Sequence, residues 1–310
     1  MKYKIISIHP GIDEFCYYKS KADAESFLTP CFVERKIGSK GANCAVLLSS
    51  KGADVDYFTV GNGAYDCDSL MKSERIKIFR TLTKSAERKN IKLIYPENDI
   101  NGMIEKNGKM DPLSEEEKRN FFSSILTDKE KSDEKFSTYV FTGSLPPGVE
   151  KEEYLRCISR LSSLGEYVVL DGRGSLISAQ NENFAALIKP NKDEFCEMAA
   201  FTPVLKGFQP PTEKSANFYT DYLESSLKYV EKYGSEVLLT LGEAGLIYAS
   251  CDEHFIKKAV PKKLSYPAGA GDRLLSSFLY YKRSLGADTS SALDTAMNDA
   301  VGETDNRENL

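Results

Sequence analysis

Several features that would assign this chain to a common protein class are missing from its sequence. Its seven cysteines are odd in number and form no C-x-x-C pair, so neither a disulfide framework nor a zinc site is expected. Cysteine usage of this kind indicates a reduced, cytoplasmic environment. The two histidines, His9 and His254, have no acidic partner at ligand spacing, which favours ordinary surface or core residues over metal ligands.

Long apolar runs and a basic surface are also missing. No stretch approaches the ~20 apolar residues of a membrane span, and Pro10 interrupts the amino-terminal apolar run before it reaches the length of a signal-peptide core. The net charge is −5, with lysine and glutamate interspersed, so no broad basic face is expected to bind a nucleic-acid backbone. We therefore expect a soluble, cytoplasmic protein that binds neither membranes nor nucleic acids.

The sequence does contain an alternation of short β-branched runs and longer amphipathic stretches. The predicted strands are "KYKIISI", "DVDYFTV", "STYVFTG", "EYVVLDG", "FAALIKP" and "SEVLLTL". The predicted helices are "GANCAVLLSSKG", "KEEYLRCISRLSSLG", "NFYTDYLESSLKYVEKYG" and "DRLLSSFLYYKRSLG", several of which end at a glycine. This alternation predicts an α/β fold whose central sheet is mostly parallel and has helices on both faces.

Two segments, about 14–36 and 92–109, do not fit the alternation. Each has alternating polar and apolar positions around turn signals, which predicts strands outside the main sheet. A flap over one end of the main sheet would account for both segments.

The stretch "YPAGAGDRLLSSFLYY" (266–281) places small residues and an acid directly before a predicted helix. Two interpretations are open. In the first, Asp272 is an N-cap and the glycines form a tight turn. In the second, the unpaired amides of the first helical turn bind an anion, and Asp272 is a general base beside them. Phosphoryl transfer to a hydroxyl needs both of those elements.

Small-residue loops are also predicted at the ends of other strands. They are "HPGID" (9–13), "IGSKGANCAVLL" (37–48) and "TGSLPPG" (142–148). The side chains that they offer to a ligand are Asp13, Lys40, Asn43 and Ser144. Taken singly, each loop is more typical of a turn or a helix cap than of a binding site.

Taken together and in this order, the loops resemble one family. The chain is similar to the ribokinase-like (PfkB) carbohydrate kinases, nearest their 1-phosphofructokinase and tagatose-6-phosphate kinase branch. Three stretches of this chain are close to motifs of that branch: "HPGID" to N-P-A-x-D, "GSKGAN" to G-G-K-G-x-N and "TGSLPPG" to S-G-S-L-P-P-G. Similarly, "IKPNKDEF" (188–195) matches K-P-N-x-x-E, and "TLGEAG" (240–245) matches S-L-G-x-x-G. The resemblance covers nearly the whole chain.

The resemblance implies a role for each matching residue. Asp272 would be the catalytic base, and the amides of Gly269, Ala270 and Gly271 would hold the γ-phosphate. The sugar would be bound by Asp13, Gly38, Ser39, Lys40, Asn43 and Ser144. The nucleotide would be bound by Lys189, Asn191, Thr240, Gly242 and Gly245, and magnesium by Asn191 and Glu194 through water.

The same resemblance implies one ribokinase-like domain over residues 1–310, a three-layer α/β/α fold with a small β-sheet lid formed by segments 14–36 and 92–109. The implied activity is a phosphotransferase that uses ATP and Mg²⁺ to phosphorylate a hydroxyl of a sugar or a sugar phosphate, of the fructose 1-phosphate or tagatose 6-phosphate type. An edge strand such as "GMIEKNGK" could pair with a second copy to form a homodimer, and a solvent-exposed flap fits equally well.

Some positions depart from the pattern. The T-R-x-N stretch of the sugar-phosphate branch is aligned with "NDIN" (98–101), which places Asp99 where an arginine would hold the substrate phosphate. Tyr266-Pro267 and Ser277 also differ from the usual residues. Two alternatives therefore stay open: a kinase of an unphosphorylated sugar or nucleoside, and a pseudokinase that binds a sugar or nucleotide without catalysis. A dinucleotide-dependent oxidoreductase and a P-loop enzyme are disfavoured because their glycine motifs are missing.

Overall fold

The computed structural model describes residues 1–97, 100–131, 137–177, 184–259 and 269–301. Their strands are β1 (Lys2–Ser7), β2 (Gly11–Tyr17), β3 (Phe32–Ile37), β4 (Asp54–Gly61), β5 (Ile76–Leu82), β6 (Arg88–Glu97), β7 (Ile100–Lys106), β8 (Ser137–Thr142), β9 (Tyr167–Asp171), β10 (Leu187–Ile188), β11 (Glu236–Thr240), β12 (Gly245–Ala249) and β13 (His254–Lys258). Their α-helices are α1 (Lys21–Glu25), α2 (Lys40–Ser50), α3 (Glu115–Lys131), α4 (Lys151–Ser163), α5 (Gly174–Ile177), α6 (Lys192–Phe201), α7 (Phe218–Tyr233), α8 (Ala270–Leu279) and α9 (Thr289–Val301). A π-helical turn, Tyr280–Ser284, continues α8.

The main sheet has the strand order β13-β12-β11-β10-β9-β8-β1-β4-β5. Every neighbouring pair from β11 to β5 is parallel, whereas β12 and β13 are added antiparallel at one edge. All six strands predicted from the sequence belong to this sheet. The prediction of an α/β fold with a mostly parallel central sheet is confirmed.

Helices pack against both faces of the main sheet, because successive side chains of a strand point in opposite directions. Ile5 of β1 belongs to a core cluster that includes residues of α2, α8 and α9, whereas the next residue, Ile6, belongs to a cluster with residues of α3, α4, α6 and α7. Both isoleucines are fully buried. None of the helices within the described ranges is long and apolar enough to cross a membrane.

A second, smaller sheet has the order β3-β2-β6-β7. Its strands occupy most of the two segments that did not fit the alternation, with the short helix α1 between β2 and β3. Two boundaries differ from the prediction. Strand β2 begins at Gly11 and β6 at Arg88, so Asp13 lies within a strand of the small sheet and not in a loop after β1.

The carboxyl ends of the parallel strands share one edge of the main sheet, where α/β proteins bind ligands. Asp171 is the last residue of β9, Lys189 directly follows β10, and Thr240 is the last residue of β11. Parallel pairing places Lys189 beside Asp171, and Thr240 beside Asn191, two residues after Lys189. The small sheet joins the same edge, since β2 follows β1 after only three residues.

Candidate active site

Asp272 lies in the first turn of α8. The N-cap of this helix is Gly269, whose φ of +78° is a left-handed conformation that glycine adopts without strain. The carboxylate of Asp272 accepts a 2.9 Å hydrogen bond from Nδ2 of Asn43, a residue of α2. The interpretation of Asp272 as an N-cap is therefore wrong.

The environment of Asp272 stabilises its neutral form more than water stabilises that of an exposed aspartate. Its side chain is buried, with 5% exposure. Burial, followed by the nearby charge of Asp171, raises the pKa of Asp272 to about 6, although Asn43, Lys40 and Lys189 act in the opposite direction. Such a carboxylate is ionised at neutral pH yet holds a proton more tightly than an exposed aspartate, as a general base requires.

A second buried carboxylate, Asp171, lies between two lysines. Its Oδ1 is 3.1 Å from Nζ of Lys189 and 3.4 Å from Nζ of Lys40, while Thr142 donates a 3.1 Å hydrogen bond to Oδ2. Burial alone would raise the pKa of Asp171, but the two lysines and the hydrogen bonds hold it below its ordinary value. Asp171 in turn raises the pKa of Lys40. The sequence analysis did not single out Asp171; the available signal was an acid at the end of the buried strand "YVVLD".

Lys189 also lies beside the first turn of α8. A Cβ atom placed on Gly271 would be 3.6 Å from Nζ of Lys189. The first amides of a helix have no helical acceptor and carry partial positive charge. The first turn of α8 and the Lys189 ammonium group therefore form a positive environment that suits an anion.

Asn191 and Glu194 form a capping box at the start of α6. Oδ1 of Asn191 accepts a 2.8 Å hydrogen bond from the Glu194 amide, and Oε2 of Glu194 accepts a 2.9 Å bond from the Asn191 amide. Oε1 of Glu194 is 3.7 Å from Nζ of Lys40. The capping box thus fixes the Glu194 carboxylate at the edge of the cluster formed by Lys40 and Asp171.

Thr240, Gly242 and Gly245 follow one another at the end of β11, next to Asn191. The amide of Thr240 donates to the Pro190 carbonyl, and Thr240 forms an isolated bridge with Asn191. A Cβ atom on Gly245 would lie 2.1 Å from the carbonyl oxygen of Lys257, so only glycine fits there. The structure therefore brings the predicted nucleotide residues together along one edge.

Asp13 is held by side chains of the small sheet. Nδ2 of Asn90 donates a 2.8 Å hydrogen bond to Oδ1, and Nζ of Lys92 is 2.8 Å from Oδ2. Gly38 packs against the same carboxylate, because a Cβ atom there would lie 2.4 Å from Oδ1. Asp13 is thus fixed in position by three neighbours that come from β6 and from the loop before α2.

Ser39 and Ser144 make different contacts. Ser39 is the N-cap of α2, accepts a 3.4 Å hydrogen bond from the Ala42 amide, and also has a side-chain hydrogen bond with Tyr57. Oγ of Ser144 lies 2.8 Å from Nδ1 of His9. The sequence analysis treated His9 as an ordinary residue, and the structure places it against a predicted sugar-binding side chain.

A cleft of about 230 Å³ opens at this edge. Its lining includes five predicted site residues: Gly38, Ser39, Lys40, Ser144 and Glu194. Six further residues line it: Ser7, His9, Arg88, Gly143, Gly172 and Arg173. The lining does not include Asp13, Asn43, Asp272 or the glycines next to Asp272. Lys40 does line the cleft, and its charge lowers the pKa of Asp272, so the cleft is close to the proposed base.

Arg88 is the most informative residue that the sequence analysis missed. Its guanidinium group lines the cleft, Nη2 donates a 3.2 Å hydrogen bond to the His9 carbonyl, and Nε is buried without a partner among the described residues. Asp99, Tyr266 and Pro267 lie outside the described residues. The alignment of "NDIN" with T-R-x-N therefore stays a prediction, while "ERKN" (87–90) is a second stretch that contains R-x-N, and its Asn90 contacts Asp13.

Within the described ranges, no cluster of three or more histidine, cysteine, aspartate or glutamate residues could hold a metal ion by itself. Oε1 of Glu194 takes no part in the capping box and is 3.7 Å from the Lys40 ammonium group, and Oδ1 of Asn191 retains a second lone pair. Both residues therefore have capacity to accept hydrogen bonds from water around Mg²⁺.

Comparison with known proteins identifies carbohydrate kinases as relatives of this chain. The family model described as pfkB family carbohydrate kinase matches residues 16–298. The chain is 23% identical over 250 residues to 1-phosphofructokinase of Escherichia coli strain K12, covering 78% of this chain and 72% of that protein.

Solved structures share the fold. Phosphofructokinase-2 from Escherichia coli in complex with substrates and products superposes with a TM-score of 0.81 at 19% identity, covering 97% of this chain and 92% of the other. A possible 1-phosphofructokinase from Thermotoga maritima gives a TM-score of 0.78 at 18% identity, covering 98% and 92%. These likenesses confirm the predicted fold class.

Proposed function

The chain belongs to the pfkB family of carbohydrate kinases and is thus a phosphotransferase with an alcohol acceptor, and we propose that it transfers the γ-phosphate of ATP to a hydroxyl of a phosphorylated sugar. The acceptor we favour is of the fructose 1-phosphate or tagatose 6-phosphate type, in line with the name of the Escherichia coli relative. The observation that carries the proposal is the buried carboxylate of Asp272 beside the first turn of α8.

Asp272 is the general base of the proposed reaction. It removes the proton from the acceptor hydroxyl as that oxygen attacks the phosphorus atom. Its pKa, raised by burial to about 6, lets it remain ionised at neutral pH and still accept this proton. Asn43 orients the carboxylate through the 2.9 Å hydrogen bond.

The amides of Gly269, Ala270 and Gly271 hold the transferring phosphoryl group. Gly271 leaves space for it, and Lys189, close to Gly271, adds a positive charge. Donors fixed before the reaction stabilise charge without reorganisation. The remaining phosphates lie along Asn191, Thr240, Gly242 and Gly245.

Asn191 and Glu194 bind Mg²⁺ through its water molecules. When bound, the ion neutralises part of the phosphate charge and helps to orient the phosphates. The charge of Lys40, 3.7 Å from Glu194 and 3.4 Å from Asp171, prevents the acidic side chains from repelling ATP.

The acceptor sugar occupies the cleft. Asp13 accepts hydrogen bonds from its hydroxyl groups, Gly38, Ser39, Lys40, Asn43 and Ser144 complete the sugar site, and Arg88 binds its phosphate. A guanidinium group suits this role because it presents several donors in one plane. Nε of Arg88 is buried and has no hydrogen-bond partner in the part of the chain that the structure describes, which supports its binding an anion.

The small sheet acts as a lid within a single domain over residues 1–310, with lid segments at about 14–36 and 92–109. It contributes Asp13 from β2 and Arg88 from β6, and its closure excludes water that would compete for the phosphoryl group. Phe27, Leu28, Phe32 and Val33 are exposed on or next to the edge strand β3, which supports a homodimer through this sheet. Sedimentation of Phe32→Glu beside the unmodified protein tests this, since the variant should be monomeric.

ADP release from Mg-ATP tests the function. The panel contains fructose 1-phosphate, fructose 6-phosphate, tagatose 6-phosphate, free hexoses, ribose and nucleosides. We expect turnover with a phosphorylated ketohexose and a loss of several orders of magnitude in Asp272→Asn. The matched control is Asp288→Asn, because Asp288 is an exposed aspartate at the start of α9 that accepts a 2.9 Å bond from the Ser291 amide.

Each contrary result has a distinct meaning. Activity only with an unphosphorylated acceptor would refute the phosphorylated substrate but keep the kinase. ATP binding without turnover of any acceptor would favour a pseudokinase. Unchanged turnover in Asp272→Asn would remove Asp272 from the mechanism.

A further inference from the structure

We propose that His9 is a positioning residue for the acceptor: its Nδ1–H donates to Oγ of Ser144 and so leaves the Ser144 hydroxyl hydrogen free to bind an acceptor oxygen. This inference rests on the proposed function, because it assigns Ser144 to the sugar site. None of the roles implied by the family resemblance includes a histidine at this position, where the related branch has the asparagine of N-P-A-x-D.

The contact joins two loops at the edge of the main sheet. His9 lies between β1 and β2, and Ser144 follows β8. Their atoms Nδ1 and Oγ are 2.8 Å apart, although 135 positions separate the residues in sequence. Both side chains belong to residues that line the cleft, together with Arg88.

The His9 ring is neutral. Burial, followed by the positive charge of Arg88, lowers its pKa to about 3. A neutral imidazole has one N–H donor and one acceptor nitrogen, so the ring can donate to Ser144 or accept from it, but not both. The direction of this one hydrogen bond depends on which nitrogen carries the hydrogen.

The surroundings of Nε2 favour the hydrogen on Nδ1. Nε2 is buried and has no hydrogen-bond partner among the described residues. If Nε2 carried the hydrogen, a buried donor would have no acceptor, which is rarer and more costly in proteins than an unused acceptor. With the hydrogen on Nδ1, the His9–Ser144 bond satisfies the only donor of the ring.

As a consequence, the Ser144 hydroxyl can donate its hydrogen to a group in the cleft. Its oxygen uses one lone pair to accept from His9, and its O–H rotates toward another acceptor. Arg88 offers only donors on the same lining, and its Nη2 is tied to the carbonyl of His9 by a 3.2 Å hydrogen bond. His9 therefore aligns two donors, Ser144 and Arg88, toward an oxygen-rich group such as a phosphate.

Nitrogen NMR of the free protein tests the hydrogen position without any substrate. The chain has only two histidines, so ¹⁵N-histidine labelling gives two ring systems, and His254, which is exposed, is the internal reference. At pH 7, we expect His9 to carry its hydrogen on Nδ1. A free histidine in water prefers Nε2–H, so an unconstrained ring would not give this signal. A hydrogen on Nε2, or on both nitrogens, would overturn the proposal.

Binding measurements test the consequence. Isothermal titration with fructose 1-phosphate, without nucleotide, compares the unmodified protein with His9→Asn and His9→Leu. We expect about tenfold weaker binding in His9→Leu, the loss expected for one hydrogen bond, and near-normal binding in His9→Asn, whose amide can still donate. Equal effects of the two substitutions would contradict the proposal.

Two controls separate this proposal from the proposed function and from a purely structural role. Melting temperature and the affinity for ATP should be alike in the two variants, because a general loosening of the fold would alter both. If the unmodified protein does not bind fructose 1-phosphate, that acceptor is refuted, and the NMR measurement alone decides whether His9 donates to Ser144.

Discussion

Asn43 donates a 2.9 Å hydrogen bond to the carboxylate of Asp272, although 229 positions separate them in sequence. The bond spans the packed helices α2 and α8. The family resemblance assigned Asn43 to the sugar, whereas in this structure its amide nitrogen binds the proposed base. Asn43 therefore lowers the pKa of Asp272, against the larger effects of burial and of Asp171, in addition to any contact with the acceptor.

Asn43→Ala should move the acid limb of the activity profile to higher pH. Asp272 must be ionised to accept a proton, so activity rises with pH through its pKa, which is about 6 in the unmodified protein. A hydrogen bond to a charged group is worth about 1.5 kcal/mol, and its loss should raise the pKa by about one unit. The measurement is kcat/KM against pH for both proteins with the same acceptor.

Asn90→Ala is the matched control, because Asn90 makes the equivalent bond to Asp13. It should weaken acceptor binding without moving the acid limb. Ionisation of the substrate phosphate is common to all profiles, so only the difference between proteins is interpreted. An acid limb at the same pH in Asn43→Ala would contradict the assigned role.

Asp272→Asn should stabilise the protein at neutral pH. Since folding raises the pKa of Asp272 from 3.8 to about 6, ionisation destabilises the folded state as pH rises through this interval. Asparagine cannot ionise, so the variant should gain about 3 kcal/mol in the free energy of unfolding at pH 7.5. The gain should shrink toward zero at pH 4. Urea denaturation at the two pH values measures both quantities.

Asp288→Asn should have the opposite effect on the free energy of unfolding at pH 7.5. A hydrogen bond from the Ser291 amide lowers the pKa of Asp288, which lies exposed at a helix start, so its ionisation favours the folded state. Its replacement should not stabilise the protein at pH 7.5. Equal responses of the two variants would mean that burial of Asp272 does not set its pKa.

The sequence predicts the fold well because period and composition are local signals. All six predicted strands lie in the main sheet, and the ordered glycine loops identify the carboxyl edge where the site is. The sequence does not reveal contacts formed by folding. Asp171 carries no motif, and its importance arises from Lys40 and Lys189, which reach it from other elements.

Arg88 was missed for a different reason. If "ERKN" corresponds to T-R-x-N, Glu87 stands in place of the threonine; it is buried, in contact with Arg80 and the Gly63 amide. Without the threonine, the short remainder is too weak a signal, and "NDIN" offered a competing alignment. Strand pairing places Asn90 opposite Asp13, which favours "ERKN" as the stretch at the proposed sugar site.

Gly271→Ala should fold normally and yet lose activity. Among the described residues, the one atom that a Cβ atom there would meet within 4 Å is Nζ of Lys189, at 3.6 Å, which is ordinary contact. Alanine within a helix is favoured over glycine by roughly 0.5–1 kcal/mol, so stability should not fall. The added methyl group would obstruct the approach of the phosphoryl group, and kcat should fall about 100-fold or more. Thermal unfolding and steady-state kinetics measure the two effects.

Gly38→Ala should behave differently. Its Cβ atom would lie 2.4 Å from Oδ1 of Asp13, so the side chain or the loop must move. We expect a higher KM for the acceptor and a small change in KM for ATP. If Gly271→Ala kept full activity, the first turn of α8 would not hold the phosphoryl group.

Arg88→Gln should distinguish a phosphorylated acceptor from a free sugar. Charge-assisted hydrogen bonds are worth about 1.5–3 kcal/mol, so loss of the guanidinium group should raise KM for a phosphorylated ketohexose by about 10- to 100-fold. KM for a free ketohexose should stay the same, because such a sugar has no anionic group for Arg88 to bind. Steady-state kinetics with fructose 1-phosphate and fructose measures both values.

Arg88→Lys tests whether charge alone is enough to bind the phosphate, and Arg173→Gln tests whether the effect is specific to Arg88. Lysine retains the charge without the planar pair of donors, so Arg88→Lys should recover only part of the affinity. Arg173 lines the same cleft but is exposed, and its replacement should have a smaller effect. Equal changes for the phosphorylated and free sugars in Arg88→Gln would mean that Arg88 shapes the cleft and does not bind the phosphate.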